Sequence, residues 1–236
     1  MKTYAFVFAR GGSKGVPGKN IRQLVDKPLL GHAISIANNI KEIDLCFVST
    51  DSEEIEAVAE LFGAIVIKRP PELSQDTSPE WLAWRHAINW VFDNYGKFER
   101  FVSLPATAPL RKPEDVQRCM RELTGGVNAV LTMTPAQRSP WFNMVKVIDR
   151  GYLNILLDCD ETIARRQDAP QAYDLTTVAY VLCPTFVMEN ESLWKGRVKG
   201  VVVPQERALD IDTEFDFKIA EYLMGERVAG QKNSQR

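Results

Sequence analysis

Residues 4–8, YAFVF, form an apolar run that opens directly into ARGGSKGVPGKN, residues 9–20. A short apolar run bounded by turn signals reads as a buried β-strand. Four glycines, one proline and the cations Arg10, Lys14 and Lys19 fall within residues 10–20. Glycine lets the backbone approach a ligand closely and adopt positive φ at little steric cost. Successive N–H groups in such a turn can form an anion-binding concavity. With three positive side chains added, the end of this strand suits a polyanion, and the commonest small one is a nucleotide phosphate. A merely solubilising surface turn is the competing reading.

Two familiar phosphate loops do not fit. A Walker loop needs Ser or Thr after its final Lys, but Asn20 follows Lys19, and the Gly12-to-Gly18 spacing is one residue too long. No two of these glycines are separated by a single residue, so the GxGxxG dinucleotide fingerprint is absent too. The pattern therefore predicts a phosphate loop of another kind.

The remaining chain alternates strand and helix. Helices are expected over residues 28–39, 53–62, 79–95, 113–123 and 214–224, and strands over 45–49, 64–68, 101–104, 129–134, 177–182 and 198–203. Such alternation specifies an α/β fold: a three-layer, doubly wound, mostly parallel, Rossmann-like sheet with ligands at the carboxyl ends of its strands. Asp51 with Glu54 offers a cap for the second helix, and Thr213 with Asp216 a capping box for the last. The aromatic stripe Trp81, Trp84 and Tyr95 reads as core packing rather than base stacking. Residues 135–174 break the alternation, with strand-like pieces at 141–148 and 152–157, and read as a small antiparallel excursion for dimer contact or substrate coverage. Residues 1–224 are expected to be one domain, and the polar residues 225–236 a frayed tail.

A chain of 236 residues suits one such domain. A net charge of −2 argues against a broad nucleic-acid-binding face. No apolar run approaches the roughly 18 residues of a membrane span, and no secretory pattern opens the chain. Cys46, Cys119, Cys159 and Cys183 lack metal-site spacing and suit buried thiols in a reducing cytoplasm. Both histidines, His32 and His86, fall in expected helices, so chemistry leans on carboxylates and cations. Asp210-Ile211-Asp212 supplies the carboxylates. In an extended stretch residues two apart point the same way, so both acids face one side while Ile211 faces the core. Such a pair suits magnesium, with helix capping by Asp212 as the alternative.

ARGGSKGVPGKN, VSTDSEEI, RPPEL, LPATAPLR, RRQDAP and ALDIDT, in this order and reaching Met224, resemble the acylneuraminate cytidylyltransferases, the CMP-sialic acid synthetase family. The related Kdo cytidylyltransferases are more distant, because their opening loop usually reads differently. The resemblance implies transfer of CMP from CTP to the anomeric hydroxyl of a nine-carbon 2-keto acid sugar, with Mg2+ and release of pyrophosphate. It implies that Arg10, Gly11, Gly12, Ser13, Lys14, Lys19 and Asn20 hold the triphosphate. Arg69 and the Asp76, Thr77 and Ser78 region would lie near cytosine and ribose. Thr107, Arg166, Gln167 and Tyr180 would meet the sugar, Arg166 through its carboxylate, while Asp210 and Asp212 would hold the metal. Arg10, Lys19 and Asp210 would carry the chemistry. Residues 135–174 would form the family's dimerisation lobe.

Three departures fall on the sugar side. The family often has LQPTSPLR where this chain reads LPATAPLR, so a Gln is lost; Asp174 follows Tyr173 where an Arg is frequent; and Thr176-Thr177 replaces the usual Asn-Gly. The sugar itself stays open among sialic-type and Kdo-like acids. Three rivals remain: another sugar nucleotidyltransferase, a nucleotide-binding homologue without catalysis, and an NAD enzyme, which lacks its glycine fingerprint.

Overall fold

The computed structural model describes residues 1–12, 15–158 and 163–233, with side chains described to residue 230. In chain order the elements are β1 (Thr3–Phe8), β2 (Gln23–Leu24), β3 (Lys27–Pro28), α1 (Leu29–Asn38), β4 (Leu45–Thr50), α2 (Glu53–Leu61), β5 (Ile65–Lys68), α3 (Glu80–Tyr95), β6 (Arg100–Ser103), α4 (Pro113–Glu122), β7 (Ala129–Pro135), β8 (Val145–Val147), β9 (Leu153–Ile155), β10 (Tyr173–Leu182), α5 (Pro184–Glu189), β11 (Val198–Val202) and α6 (Glu214–Asn233). Seven strands form one sheet in the order β11-β7-β10-β6-β1-β4-β5. All its pairings are parallel except those of β10, which runs antiparallel between β6 and β7. The expected mostly parallel, doubly wound sheet is thus present.

The alternation of strand side chains builds two cores, one on each face. Ala5 and Val7 of β1 and Val48 of β4 point to the face covered by α1, α2 and α4, where Leu30, Ile34, Ile55 and Val116 join them. Tyr4 and Phe6 of β1, Phe47 of β4 and Phe101 of β6 point to the opposite face, under Trp84, Ile88 and Val91 of α3. Phe6 stacks on Phe101 with ring centroids 4.7 Å apart. Trp84, Ile88 and Val91 of the α3 stripe are therefore core and Trp81 packs against them, whereas Tyr95, at the helix end, is 38% exposed. A third cluster joins Val16 of the glycine-rich loop, Leu24, Leu29, Leu110, Ile211 and Phe217. It fastens the loop after β1 to the segment before α6.

Three local expectations need correction, and one element was not anticipated. The cap of α2 is Ser52, whose Oγ accepts from the Ile55 amide, rather than the Asp51 and Glu54 pair; the Asp51 carboxylate instead accepts from the Gly11 amide at 3.1 Å. β10 begins four residues earlier than its apolar run, because Tyr173–Thr176 ladder with β7 before a register shift between Thr176 and Tyr180. The six-residue α5 is too short for a periodic signal. Finally, α6 does not end at Met224 in a frayed tail but continues to Asn233. Its added turns are rich in good helix formers, and Arg227 Nη2 anchors them by donating to the Leu110 carbonyl at 2.8 Å. The capping box at the start of α6 forms as predicted: the Thr213 amide donates to Asp216 Oδ2 and the Asp216 amide to Thr213 Oγ1.

Candidate active site

The loops leaving β1, β4, β5, β6 and β7 share the carboxyl edge of the sheet, where open α/β sheets place ligands. Loop 9–20 crosses this edge and meets the acidic segment 192 residues further along. Lys19 Nζ donates to the Ile211 carbonyl at 2.7 Å and lies 3.5 Å from Asp212 Oδ1. The approach is close enough that a Cβ on Gly15 would stand 2.0 Å from the Asp212 carbonyl oxygen. Asn20 stiffens the loop from within, donating from Nδ2 to the Arg10 carbonyl. Ser13 and Lys14 lie outside the described residues.

Arg10 turns towards the loop after β5. Its Nη2 lies 2.5 Å from Asp76 Oδ1, and Nη1 donates to the Ser74 carbonyl. Within that loop Thr77 is exposed and Ser78 donates to the Glu72 carbonyl at 2.7 Å. Arg69, almost fully buried, donates to the Ser49 hydroxyl and carbonyl and lies over the Phe8 ring. Burial pulls its pKa down, and Arg10 does so as well, against the opposing pull of Asp51 and Glu80. Arg10 and Arg69 are thus near enough for the charge of Arg10 to disfavour that of Arg69.

The acidic segment has the alternation its sequence predicts in one respect: Ile211 is fully buried. Its two acids differ, however. The Asp212 side chain is largely in water, whereas Asp210 Oδ1 is buried without a hydrogen-bond partner. The Ile211 amide donates to the Thr107 carbonyl at 2.9 Å, docking the segment on the loop after β6. Thr107 thus contributes backbone here.

Glu80, at the first turn of α3, is a third acid near Asp210 that sequence reasoning did not assign. It retains access to water yet is walled by protein on most sides, and this enclosure raises its pKa. A hydrogen bond from Trp84 and the charge of Arg69 act the other way, while Asp210 adds to the rise. Tyr180, in contact with the Trp84 ring, has its phenol pushed up to about 12 by burial, then by Glu80 and Asp210. No contiguous motif places Glu80, Tyr180 and Asp210 together; only the fold does.

Asp210 also borders a cavity of about 580 Å³ shared with Thr134, Asp174, Thr176 and Gln205. The residues that depart from the family pattern, Asp174 and Thr176, therefore face the same space as Asp210. Arg166 and Gln167 line a separate cavity of about 380 Å³ with Arg138 and Ser139. Gln205 borders the cavity of Asp210 and also a third one, of about 560 Å³, that Arg138 and Arg166 line. The structure thus brings Arg10, Lys19, Asn20, Arg69, Thr107, Tyr180, Asp210 and Asp212 to one edge, with Arg166 and Gln167 on an adjoining shelf.

Comparison with known proteins bears on the family and the fold. A family model described as cytidylyltransferase matches residues 4–177. Post-translational flagellin modification protein B of Campylobacter coli is 32% identical over 225 residues, covering 94% of each chain. CMP-N,N'-diacetyllegionaminic acid synthase of Campylobacter jejuni is 33% identical over 221 residues, covering 92% of this chain and 93% of that one. N-acylneuraminate cytidylyltransferase B of Danio rerio is 29% identical over 231 residues, which are 92% of this chain but 50% of the fish protein. A solved CMP:2-keto-3-deoxy-manno-octonic acid synthetase complexed with CTP superposes with a TM-score of 0.71 at 15% identity, covering 96% of this chain and all of that one, a likeness of fold. Among the described residues no helix is long and apolar enough to cross a membrane. A glycine-rich cationic loop closed against an acidic segment at the carboxyl edge of a doubly wound sheet, in a chain matched over most of its length, makes this a nucleotidyltransferase belonging to the cytidylyltransferase family.

Proposed function

We propose that the chain transfers CMP from CTP to the anomeric hydroxyl of a nonulosonic, sialic-type 2-keto acid sugar and releases pyrophosphate. The observation that carries this reading is the contact of Lys19 with Ile211 and Asp212, which sets the phosphate loop against the acids. The relatives named as CMP-legionaminic acid synthase and N-acylneuraminate cytidylyltransferase support the acceptor class.

In this reading loop 9–20, including Gly11, Gly12, Ser13, Lys14 and Asn20, holds the triphosphate through backbone N–H groups and cations. Arg10 and Lys19 stabilise charge on the departing pyrophosphate, as fixed donors do most effectively in a water-poor cleft. Arg69 and residues 76–78 hold the nucleoside. Thr107, Tyr180, Arg166 and Gln167 orient the sugar acid, with Arg166 facing its carboxylate. The acceptor oxygen attacks the α-phosphorus, the bond to the β-phosphate oxygen breaks, and the hydroxyl proton leaves to water. Alignment supplies much of the acceleration, as in other phosphoryl transfers.

Asp210 and Asp212 are the residues that would hold Mg2+. The buried, partnerless Asp210 Oδ1 fits a hard cation, because an orphaned carboxylate oxygen is costly unless something positive meets it. When bound, the ion supplies charge neutralisation at the phosphates. CTP as donor suits the cytoplasm. The hairpin β8–β9 exposes Val145, Val147, Tyr152 and Leu153, an apolar face that a second copy would cover in a homodimer. Incubation with each of four NTPs and a panel of nonulosonic acids and Kdo, followed by mass analysis, tests the whole. CMP-sugar from CTP and a nonulosonic acid is expected; preference for another NTP, or for Kdo, overturns the corresponding half.

A further inference from the structure

The carboxyl end of β7 lies against the first residues of β10, and their cross-strand pairs form a short polar ladder on one face. Thr132 pairs with Thr176, and Thr134 with Asp174. Residues directly opposite each other in an antiparallel pair share a face, as do residues two apart on one strand. The inner rung satisfies itself: Thr176 Oγ1 donates to Thr132 Oγ1 at 2.7 Å, and the Ala179 amide donates to the same oxygen at 3.1 Å. The outer rung does not. Thr134 is only 6% exposed, yet its Oγ1 has no hydrogen-bond partner. Asp174 is exposed, and among the described residues its carboxylate makes no hydrogen bond or ion pair. The side-chain amide of Gln205, in the turn after β11, is likewise unspent among the described residues.

This outer rung opens into space. Thr134, Asp174 and Gln205 all border the cavity of about 580 Å³ that reaches Asp210, and all three also border a further one of about 320 Å³ that reaches Arg138. A buried hydroxyl without a partner is costly and rare in a native fold, and here the orphan stands on a cavity wall. An ionised carboxylate only accepts hydrogen bonds, a hydroxyl can do either, and a primary amide offers an oxygen and two N–H groups. Together the three call for a group that brings at least one N–H or O–H of its own. The charge of Asp174 repels an anionic group, which Arg138 at the other end attracts.

We propose that Thr134, Asp174 and Gln205 form the subsite that selects the acceptor by one of its substituents, taking a neutral or cationic group with an N–H or O–H donor, such as a hydroxyl or an acylamino group, and refusing an anionic one. This rests on the reading of the chain as a transferase to a 2-keto acid sugar. Because the larger cavity also reaches Asp210, a group held on the rung belongs to a molecule standing at the reacting end of the site. The rung then orients that molecule, with its carboxylate towards Arg138 and its donor-bearing substituent towards Asp174. A site built to hydrogen-bond a substrate O–H or N–H rejects an analogue lacking it far more strongly than an apolar pocket does.

The test uses the whole chain with CTP, the nonulosonic acid that it converts best, and analogues of that acid in which each hydroxyl or acylamino group in turn is replaced by hydrogen. Formation of CMP-sugar gives kcat/KM for each acid, and KM for CTP and melting curves are measured alongside. Thr134→Val removes the hydroxyl and keeps the shape, and Asp174→Leu removes the carboxylate. Each is expected to lower kcat/KM for the parent acid about tenfold, the scale of one lost hydrogen bond, with KM for CTP unchanged. One of the analogues should already be poorer by about tenfold with the unaltered chain, and should lose nothing more in either variant. An equal loss for every acid, with a lower melting temperature, would show a structural role and overturn the proposal. A raised KM for CTP would assign the cavity to the nucleotide and overturn it equally. Conversion of the parent acid with unchanged selectivity in both variants would sink the subsite alone. If the unaltered chain converts no nonulosonic acid with CTP, the proposed activity falls, and the subsite with it.

Discussion

Gly15→Ala is the sharpest test of the closure between the two ends of the chain. A Cβ at this position would lie 2.0 Å from the Asp212 carbonyl oxygen and 3.3 Å from its carbonyl carbon, and both are backbone atoms that cannot rotate away. Restoring ordinary contact requires the loop and the acidic segment to separate by about 1.4 Å. Misplacement of about 1 Å in an aligned site costs on the order of a hundredfold, so kcat/KM for CTP should fall by about that factor. The cost to stability should be smaller, about 1–3 kcal/mol, the range for local overpacking. Pyrophosphate release measured against CTP concentration, together with a melting curve, separates the two effects. Gly225→Ala serves as the control, since a Cβ there meets nothing within 4 Å and the residue is helical and outside the site. It should keep full activity and gain about 0.5–1 kcal/mol. A Gly15→Ala enzyme with kcat/KM within twofold of the unaltered chain would refute the idea that the loop must close on residues 210–212.

Lys19→Ala should lower turnover at saturating CTP about a hundredfold, the scale of losing one stabilising donor; unaltered turnover would remove Lys19 from the chemistry. Asp216 has its pKa lowered, first by the Thr213 side chain, so its folded value lies below its unfolded one near 3.9. Its contribution is therefore present above about pH 4 and lost as pH falls through the folded value. Asp216→Asn should destabilise at pH 7, with the gap in melting temperature narrowing towards pH 3; a constant gap would contradict the cap. Val147→Asp with Leu153→Asp should turn a dimer into a monomer in sedimentation, while an unchanged sedimentation coefficient would place the interface elsewhere.

The residues that read most directly were those whose environment is set locally or by simple alternation. β1, β4 and β6 are covered on both faces, so their apolar runs announce them, and the Thr213 and Asp216 box needs only three residues of helix. Ile211 flanked by two acids likewise announces an extended segment with one buried side chain. Arg111 could not be read this way. In sequence it is one more cation before a proline, and its burial depends on carbonyls that the β10 register shift frees some 66 residues later. Glu80 opens α3 as its first-turn acid, and only the packing of α3 under β1 and β6 carries it towards Asp210. α6 outruns its apolar pattern because its last turns are polar, and their hold on the fold comes from Arg227 on the Leu110 carbonyl.

The bond between Lys19 and Ile211 joins residues 192 positions apart. A chain emerging from the ribosome folds from its N-terminus as it is made, so loop 9–20 waits, without its backing, until a further 190 or so residues have been synthesised. Truncated products ending before residue 210 would keep the glycine-rich loop and most of the sheet, yet lack the wall against which that loop closes. Competence for catalysis thus arrives only once residues 210–212 have been made, and chains that stop short of them are left unable to consume nucleotide.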